Sequence, residues 1–239
     1  MAKRVAIITN VLDYAGPPAA MALATDFCVL CHSKYFTDDE AASIYSTQHP
    51  DRTVAKAQTP EDLVEEALSK FGRIDVAISN DAGDIRRGPI EDRSTDDFRA
   101  LLESFAVAPF RLVAAVLPRM KEQREGRIIL ITSGAALRPT PQMTLYSAAR
   151  AAANSMVRGL ATEIGPAGLS INAIAPFYLQ SNYFPSGMND PELAKRIHEL
   201  IPMKRFGQPE EIGALIELLS SGKADFISGQ IIGFSGAGA

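Results

Sequence analysis

Three side chains of this sequence have the types and the spacing of a proton-transfer site: Ser133, Tyr146 and Arg150. Ser133 follows an apolar run, residues 127–132, that predicts a buried strand, whereas Tyr146 opens a predicted helix that also carries Arg150. Residues four apart share one helix face, so the guanidinium of Arg150 can lie beside the phenol of Tyr146 and stabilise its phenolate form. Tyr146 is therefore predicted to act as a base near neutral pH on a hydroxyl or carbonyl that Ser133 holds.

A Tyr–Arg pair at this spacing is weak evidence by itself. It also suits a solvent-exposed helix face, where such a pair contributes about 0.2–0.5 kcal/mol. The position of Ser133 at the end of a predicted strand, shortly before the pair, favours the catalytic interpretation.

The elements that must position these residues follow from the hydropathy pattern. Short apolar, β-branched runs alternate with longer helical segments, which predicts an α/β, doubly wound (Rossmann-like) parallel sheet of seven strands with helices on both faces. A single domain over residues 1–239 is expected, with ligands at the carboxyl ends of the strands, where Ser133 lies. The predicted strands cover residues 5–9, 27–31, 53–55, 74–79, 127–132, 170–174 and 231–234.

Charge and hydropathy also limit the classes of binding partner that can be expected. The net charge is -4 and no basic stripe occurs, so nucleic acid is not a predicted partner. No apolar run reaches the roughly 18 residues of a membrane span, so no membrane is predicted either. The apolar run after Arg4 is too short for a secretory signal, and a cytoplasmic location is expected.

The segment Cys28-Val29-Leu30-Cys31-His32 matches the C-x-x-C-H pattern of covalent haem attachment. It lies in an apolar run that predicts a buried strand, whereas haem attachment needs export and an exposed segment. Two buried thiols are therefore favoured over a haem or zinc site, and no metal is predicted.

The arrangement of Ser133, Tyr146 and Arg150 resembles the Ser/Tyr/Lys site of the short-chain dehydrogenases/reductases. In that family a glycine-rich first loop holds NAD(P), and the resemblance would by itself imply such a cofactor. Similar segments extend over nearly the whole chain, at residues 80–83, 172–176, 205–210 and 228–230 and at Gly236.

Four departures from that family point away from a dinucleotide. Asn10 and Tyr14 stand where small glycines would meet the pyrophosphate, and Pro17 and Pro18 remove backbone donors from the start of the next helix. The segment after the second strand, residues 31–34, has no acid to hold a ribose diol. An arginine also replaces the family's catalytic lysine. No cofactor is therefore predicted.

Together these departures resemble the halohydrin dehalogenases, which use Ser/Tyr/Arg and hold a halide where nicotinamide would lie. The resemblance implies that Ser133 binds the substrate hydroxyl, that Tyr146 takes its proton, and that the alkoxide expels a neighbouring halide to give an epoxide while Arg150 stays protonated. In reverse, the site would open epoxides with halide, azide, cyanide or nitrite. The resemblance further implies halide binding by Tyr14, Pro176, Phe177, Tyr178 and Leu179, an orienting or proton-passing role for Asp81, and a substrate pocket of Ala135, Met143 and Phe184.

Two other functions remain open at this stage. One is an atypical NAD(P)-dependent oxidoreductase, and the other is a catalytically idle relative that serves as a scaffold. Phe105 falls near the place of an additional asparagine of many dehydrogenases, which is consistent with a lost proton relay. The helices predicted around residues 101–117 and 146–164 look like those of the superfamily's four-helix interface, so a homotetramer is expected.

Overall fold

The computed structural model describes residues 3–37, 39–81, 83–85, 87–185 and 187–239. Its strands are β1 (Arg4–Ile8), β2 (Phe27–Cys31), β3 (Arg52–Val54), β4 (Val76–Ser79), β5 (Gly126–Ile131), β6 (Leu169–Pro176) and β7 (Ile231–Phe234). All pairings are parallel, and the order across the sheet is β3-β2-β1-β4-β5-β6-β7. The predicted doubly wound fold is confirmed.

Eight α-helices connect the strands in the described residues: α1 (Gly16–Leu23), α2 (Asp39–Gln48), α3 (Pro60–Phe71), α4 (Thr95–Leu102), α5 (Ala108–Gln123), α6 (Thr144–Ile164), α7 (Pro191–Leu200) and α8 (Pro209–Ser220). The start of α3 shows why these segments are helical. Thr59 accepts a hydrogen bond from the Asp62 N–H while the Asp62 carboxylate accepts one from the Thr59 N–H, and Gly72 ends the helix in the left-handed conformation.

Some boundaries differ from those predicted. β4 begins at Val76 instead of residue 74, because the side-chain amide of Gln123 binds both the N–H and the carbonyl of Ile74. β6 extends to Pro176, where the next N–H, of Phe177, donates to the Phe234 carbonyl at 3.0 Å. The end of β6 therefore delivers Pro176 and Phe177 directly to the ligand edge of the sheet.

The core lies on both faces of the sheet, since successive strand residues point to opposite sides. Ile8 packs in the cluster covered by α1 and α8, whereas Ile7 packs in the cluster covered by α3, α5 and α6. Both side chains are fully buried, and each burial is worth about 1.5–3 kcal/mol.

The strand order reverses between β1 and β4, so the loops that follow these two strands diverge and leave a crevice at their carboxyl ends. The loops after β5 and β6 complete its walls. Such switch points are where open α/β sheets bind ligands.

Helices α4 and α5 are joined by a π-helical turn, Glu103–Val107, into one helix from Thr95 to Gln123. An 18-residue stretch of it has a mean hydropathy of 1.8 and is 33% buried, which meets the length and composition of a membrane span. The core helix of a soluble protein meets the same criteria. Phe105, in the π turn, is 1% exposed and reaches the ligand edge of the sheet.

Candidate active site

A cavity of about 370 Å³ opens at the carboxyl ends of β1, β4, β5 and β6. All but one of the site residues predicted from sequence line it: Tyr14, Asp81, Ser133, Ala135, Met143, Tyr146, Arg150, Pro176, Phe177, Tyr178 and Phe184. Leu179 does not. The cavity is also lined by residues that sequence patterns did not single out as site residues: Asp13, Asn80, Gly83, Ile85, Arg87, Thr140 and Tyr183, together with Phe105.

Arg150 is held on every side of its guanidinium. Its Nε donates to the Tyr146 hydroxyl oxygen at 3.2 Å, Nη1 to the carbonyl of Ile131 at 2.9 Å, and Nη2 to the carbonyl of Asp81 at 3.2 Å. The side chain is only 4% exposed. Because Arg150 donates to the phenol oxygen, it stabilises the phenolate that a proton-accepting Tyr146 requires.

Phe105 packs against both members of this pair. Its ring centroid lies 4.1 Å from Cζ of Arg150, and its ring meets that of Tyr146 edge to face, with centroids 5.1 Å apart. A cation over an aromatic face is worth about 0.5–2 kcal/mol, the larger value applying when it is desolvated. The ring therefore helps to hold Arg150 in place and offers no group that moves protons.

Ser133 lies two residues after the end of β5 and immediately before a short 3₁₀ turn, Gly134–Ala136. Its backbone is extended, and its Oγ accepts a hydrogen bond from the Ala135 N–H at 3.1 Å. That contact uses an oxygen lone pair and leaves the hydroxyl proton available. Ser133 is thus able to donate a hydrogen bond to an oxygen in the cavity.

The turn after Ser133 depends on a glycine. A Cβ added at Gly134 would lie 2.6 Å from the Cβ of Phe177, closer than such atoms approach. Gly134→Ala is therefore expected to force the loops after β5 and β6 apart, to destabilise the fold by about 1–3 kcal/mol and to lower activity. Denaturant unfolding measures the first effect. Gly165→Ala is the matched control, because its Cβ would meet nothing within 4 Å, and equal stability of both variants would contradict the steric argument.

Asp81 contributes to the site through two different groups. Its backbone carbonyl accepts the hydrogen bond from Arg150, whereas its carboxylate accepts a hydrogen bond from the Ser79 hydroxyl. Burial raises the pKa of the Asp81 carboxyl to about 6, against the lowering effects of the Ser79 hydrogen bond and the Arg150 charge. The orienting role predicted for Asp81 thus falls to its main chain, and a carboxyl with this pKa can exchange protons near neutral pH.

This raised pKa has a consequence for stability. The Asp81 carboxyl loses its proton near pH 4 in the unfolded chain and only near pH 6 in the folded protein. The free energy of unfolding therefore falls as pH rises from 4 to 6, and the contribution of Asp81 is constant above that range. Asp81→Asn is expected to be more stable than the native protein by about 2 kcal/mol at pH 8 and equally stable at pH 4. Urea unfolding at both pH values tests this, and a difference independent of pH would refute it.

The loop after β6 presents two adjacent backbone donors. The N–H of Phe177 is bonded to Phe234, and the N–H of Gln180 to the carbonyl of Gly207, but no described residue accepts a hydrogen bond from the N–H of Tyr178 or Leu179. Both residues are buried, and Tyr178 has a φ of +64°. Buried N–H groups are nearly always paired, and consecutive donors around a left-handed residue form an anion-binding concavity.

The side chain of Leu179 has a different place from the one predicted. It is fully buried in the hydrophobic cluster with Ile8, Val11 and Ile174, beneath the loop, and does not line the cavity. The reason is alternation: the β6 chain continues with a bridge from Leu179 to Gly207, which turns this side chain toward the core. The halide contact predicted for the Leu179 side chain is therefore not what the structure places at the cavity.

Tyr14, in the loop after β1, also lines the cavity. Its backbone lies in the left-handed region with a φ of +49°, and its N–H donates to Oδ1 of Asn182 at 3.0 Å. Nδ2 of Asn182 donates in turn to the Asp13 carboxylate at 3.1 Å, and the Tyr14 ring meets that of Tyr183 edge to face at 5.8 Å. The first loop is thereby pinned to the loop after β6.

The start of α1, where a doubly wound fold would hold a phosphate, offers no free donor in its first turn. Pro17 and Pro18 have no N–H, the N–H of Gly16 donates to the Asp13 carbonyl at 2.8 Å, and the N–H of Ala19 continues the helix. Phosphate binding at a helix start depends on those groups. The first turn of α1 therefore lacks the chemistry of a pyrophosphate site.

The Cys-x-x-Cys-His segment forms β2 and the residue after it. Cys28 and Cys31 are free thiols, and Sγ of Cys31 accepts a hydrogen bond from the Tyr45 hydroxyl at 3.6 Å while burial raises the pKa of this thiol to about 11. Nδ1 of His32 accepts a hydrogen bond from the Asn10 N–H at 3.5 Å. Among the residues described, no three His, Cys, Asp or Glu side chains are grouped to hold a metal ion.

Comparison with known proteins adds the family to this geometry. The family model described as enoyl-(acyl carrier protein) reductase, of the short-chain alcohol dehydrogenase type, matches residues 39–236. The chain belongs to the short-chain dehydrogenase/reductase superfamily. The segment that matches the family model begins at α2, so it does not include the first loop or α1.

Two solved structures resemble this superfamily member over nearly their whole length. One, described as a dehalogenation enzyme, has a TM-score of 0.94 and 36% identity and covers 100% of this chain and 99% of its own. The other is a halohydrin dehalogenase bound to ethyl (2S)-oxiran-2-ylacetate, with a TM-score of 0.93, 30% identity and coverage of 97% and 96%. Among curated relatives, the 7alpha-hydroxysteroid dehydrogenase of Escherichia coli K12 is 33% identical over 186 residues, 77% of this chain and 71% of its own.

Proposed function

We propose that this protein is a halohydrin dehalogenase that converts vicinal haloalcohols to epoxides without a nicotinamide cofactor. The observation that carries the proposal is one cavity lined both by Ser133, Tyr146 and Arg150 and by Tyr178, whose N–H, like that of the next residue, has no acceptor among the described residues. A proton acceptor and an anion site in one cavity match a reaction that removes both a proton and a halide. The likeness to the two dehalogenase structures supports it.

In the first step the substrate hydroxyl loses its proton to Tyr146. Ser133 donates a hydrogen bond to the substrate hydroxyl oxygen, and that hydroxyl gives its proton to the phenolate oxygen of Tyr146. Arg150 remains protonated and offsets the charge on the phenolate. The proton then leaves the phenol for solvent, and Asp81, whose pKa is about 6, lies on the same cavity wall to accept it.

The carbon–halogen bond breaks as the ring closes. The alkoxide oxygen forms a bond to the neighbouring carbon, and the halide departs with the bonding electrons toward the Tyr178 and Leu179 N–H groups. The alkoxide oxygen and the carbon that it attacks belong to the same substrate molecule. The protein can therefore favour the attack by holding the substrate in a bent conformation. In reverse, a halide, azide, cyanide or nitrite ion at the anion site would open an epoxide.

The pocket walls set the shape of the accepted substrate. Ala135, Met143 and Phe184 contribute apolar lining, and the whole cavity of about 370 Å³ suits a small haloalcohol. Halide burial is costly in such surroundings, so the N–H donors and the ring edges of Tyr14 and Phe177 must replace the water shell.

We also propose a homotetramer built on α4–α5 and α6. Phe110 is 54% exposed and Val107 is 38% exposed on the outer side of the long helix, which is an apolar surface suited to a second copy. Light scattering coupled to size exclusion measures the mass, and a monomer at micromolar concentration would contradict this part of the proposal.

An NAD(P)-dependent oxidoreductase is the second candidate, favoured by the 33% identity to the Escherichia coli hydroxysteroid dehydrogenase and by the family model. The α1 first turn argues against it. A cytoplasmic enzyme of either kind is compatible with this chain.

The test compares both reactions on one preparation. Two reactions are measured: bromide release from haloalcohols such as 1,3-dibromo-2-propanol, and the opening of small epoxides by azide. Binding of NADH and NADPH to the same preparation is measured by calorimetric titration. Halide release that depends on enzyme concentration, without saturable nucleotide binding, is the expected result. Micromolar nucleotide binding would overturn the proposal in favour of the oxidoreductase.

A further inference from the structure

Arg87, in the loop after β4, is a cation at the opening of the cavity. It lines the same cavity as Tyr146 and Arg150, and the residue is exposed. Within the part of the chain that the structure describes, its carbonyl accepts a hydrogen bond but its guanidinium pairs with no side chain or carbonyl. Arg127, by contrast, donates to both carboxylate oxygens of Asp225 at 2.7 and 2.8 Å. The donors of Arg87 are therefore free to bind a ligand.

Two hydrogen bonds hold the main chain of Arg87 beside the cavity. The guanidinium of Arg93 donates to the Arg87 carbonyl, and the N–H of Gly88 donates to the carbonyl of Gln142 at 3.0 Å. The Arg93 guanidinium also lies directly against Gly88, in space that a Cβ at this position would occupy. Gln142 immediately precedes Met143, which lines the cavity. The loop after β4 is thus fastened to the segment before α6, and Arg87 is held at the edge of the substrate pocket.

The other charged residues that line the cavity are already engaged within the protein. Arg150 donates to three oxygen atoms, and the carboxylates of Asp13 and Asp81 each accept a hydrogen bond from a neighbouring side chain. Thr140 also lines the cavity, and its hydroxyl makes no hydrogen bond to any described residue. Arg87 and Thr140 therefore offer a positive charge and a hydroxyl that a ligand in this cavity can use.

We infer that Arg87 binds a carboxylate of the substrate, so that the preferred substrates are haloalcohols and epoxides of short carboxylic acids. This rests on the proposed function and adds the substrate class to it. A planar guanidinium can donate two parallel hydrogen bonds to a carboxylate. The carboxylate would lie at the opening beside Arg87 and Thr140, while the haloalcohol group reaches Tyr146. A phosphate, with its higher charge, fits less well because Asp13 and Asp81 line the same cavity.

The experiment compares a charged substrate with its neutral ester. Chloride release from 4-chloro-3-hydroxybutanoate and from its methyl ester is measured with the native full-length protein and with Arg87→Gln. The substitution should lower the acid-to-ester ratio of kcat/KM about 10-fold, mainly by raising KM for the acid. This is the lower end of the range for hydrogen bonds to charged groups, because Arg87 is exposed. Arg196→Gln is the matched control: it removes an exposed arginine of α7 outside the cavity and should leave the ratio within about 2-fold.

Arg87→Lys keeps the charge but loses the fork of donors, so it should retain only part of the preference for the acid. An acid-to-ester ratio that is the same in the native protein and in Arg87→Gln would overturn the inference.

A binding measurement separates this inference from the proposed function. 3-Hydroxybutanoate, which carries no halogen, is titrated calorimetrically into the native protein and into Arg87→Gln. If no haloalcohol is turned over but this acid binds about 10-fold more weakly to the variant, the carboxylate site stands and the dehalogenase proposal is refuted. If no haloalcohol is turned over and the variant binds the acid as the native protein does, both are refuted.

Discussion

Tyr146→Phe is expected to lower kcat/KM for halide release by about 10³-fold. The phenol is the only group of the proposed mechanism that accepts the substrate proton, and a positioned general base contributes about 10²–10⁴-fold. Phenylalanine keeps the edge-to-face contact with Phe105, so the variant should fold, although the Nε of Arg150 loses its acceptor and about 1–3 kcal/mol of stability is expected to be lost. Initial rates of bromide release from a vicinal bromoalcohol, read with a halide electrode, give the measurement.

The control for this substitution is Tyr35→Phe, which removes a hydroxyl from an exposed ring outside the cavity. It should leave the rate unchanged within about 2-fold. The azide-driven opening of an epoxide should fall in Tyr146→Phe as well, because the same phenol must return the proton. A Tyr146→Phe protein that retains a third of native activity in either direction would remove Tyr146 from the mechanism.

Arg150→Ala is expected to have the second-largest effect, on both rate and stability. It removes the positive charge beside the Tyr146 oxygen, takes away the hydrogen bonds that Arg150 donates to the carbonyls of Ile131 and Asp81, and empties the space over the Phe105 ring. Activity should fall by about 10²-fold, because the Tyr146 oxygen of the proposed mechanism then lacks its hydrogen-bonded cation. The fold should lose about 3 kcal/mol or more.

Arg150→Lys is the matched variant for this prediction. It restores the charge but offers one nitrogen in place of the fork that binds three acceptors, so it should recover the activity more than the stability. Initial rates of halide release and urea unfolding separate the two effects. An Arg150→Lys protein that is no more active than Arg150→Ala would mean that the positive charge beside the Tyr146 oxygen does not contribute to the rate.

The sequence allowed prediction of those parts of the site that local periodicity determines. Helical spacing places Arg150 beside Tyr146, and the alternation of strands and helices predicts the sheet whose edge carries Ser133. Asn182 could not be anticipated in this way, because its contacts with Asp13 and Tyr14 cross about 170 residues and depend on how an irregular loop folds. The sequence also could not predict that Asp81 holds Arg150 through its backbone carbonyl, because every residue has a backbone carbonyl.

Loop conformation explains the one displaced site residue. Leu179 lies in a short apolar stretch that suits a pocket wall, and only the bridge to Gly207 turns its side chain inward. The same bridge uses the N–H of Gln180, and those of Tyr178 and Leu179 find no acceptor in the part of the chain that the structure describes. An inventory of backbone hydrogen bonds is a property of the folded chain, and no residue pattern reports it.

The closed first turn of α1 bears on how this chain can evolve. A substitution of Pro17 or Pro18 alone would return one N–H, but the other proline would remain, Gly16 would still be bonded to Asp13, and Tyr14 would still occupy the adjacent space. Restoring the N–H donors of a phosphate site at this helix start would therefore take several substitutions made together.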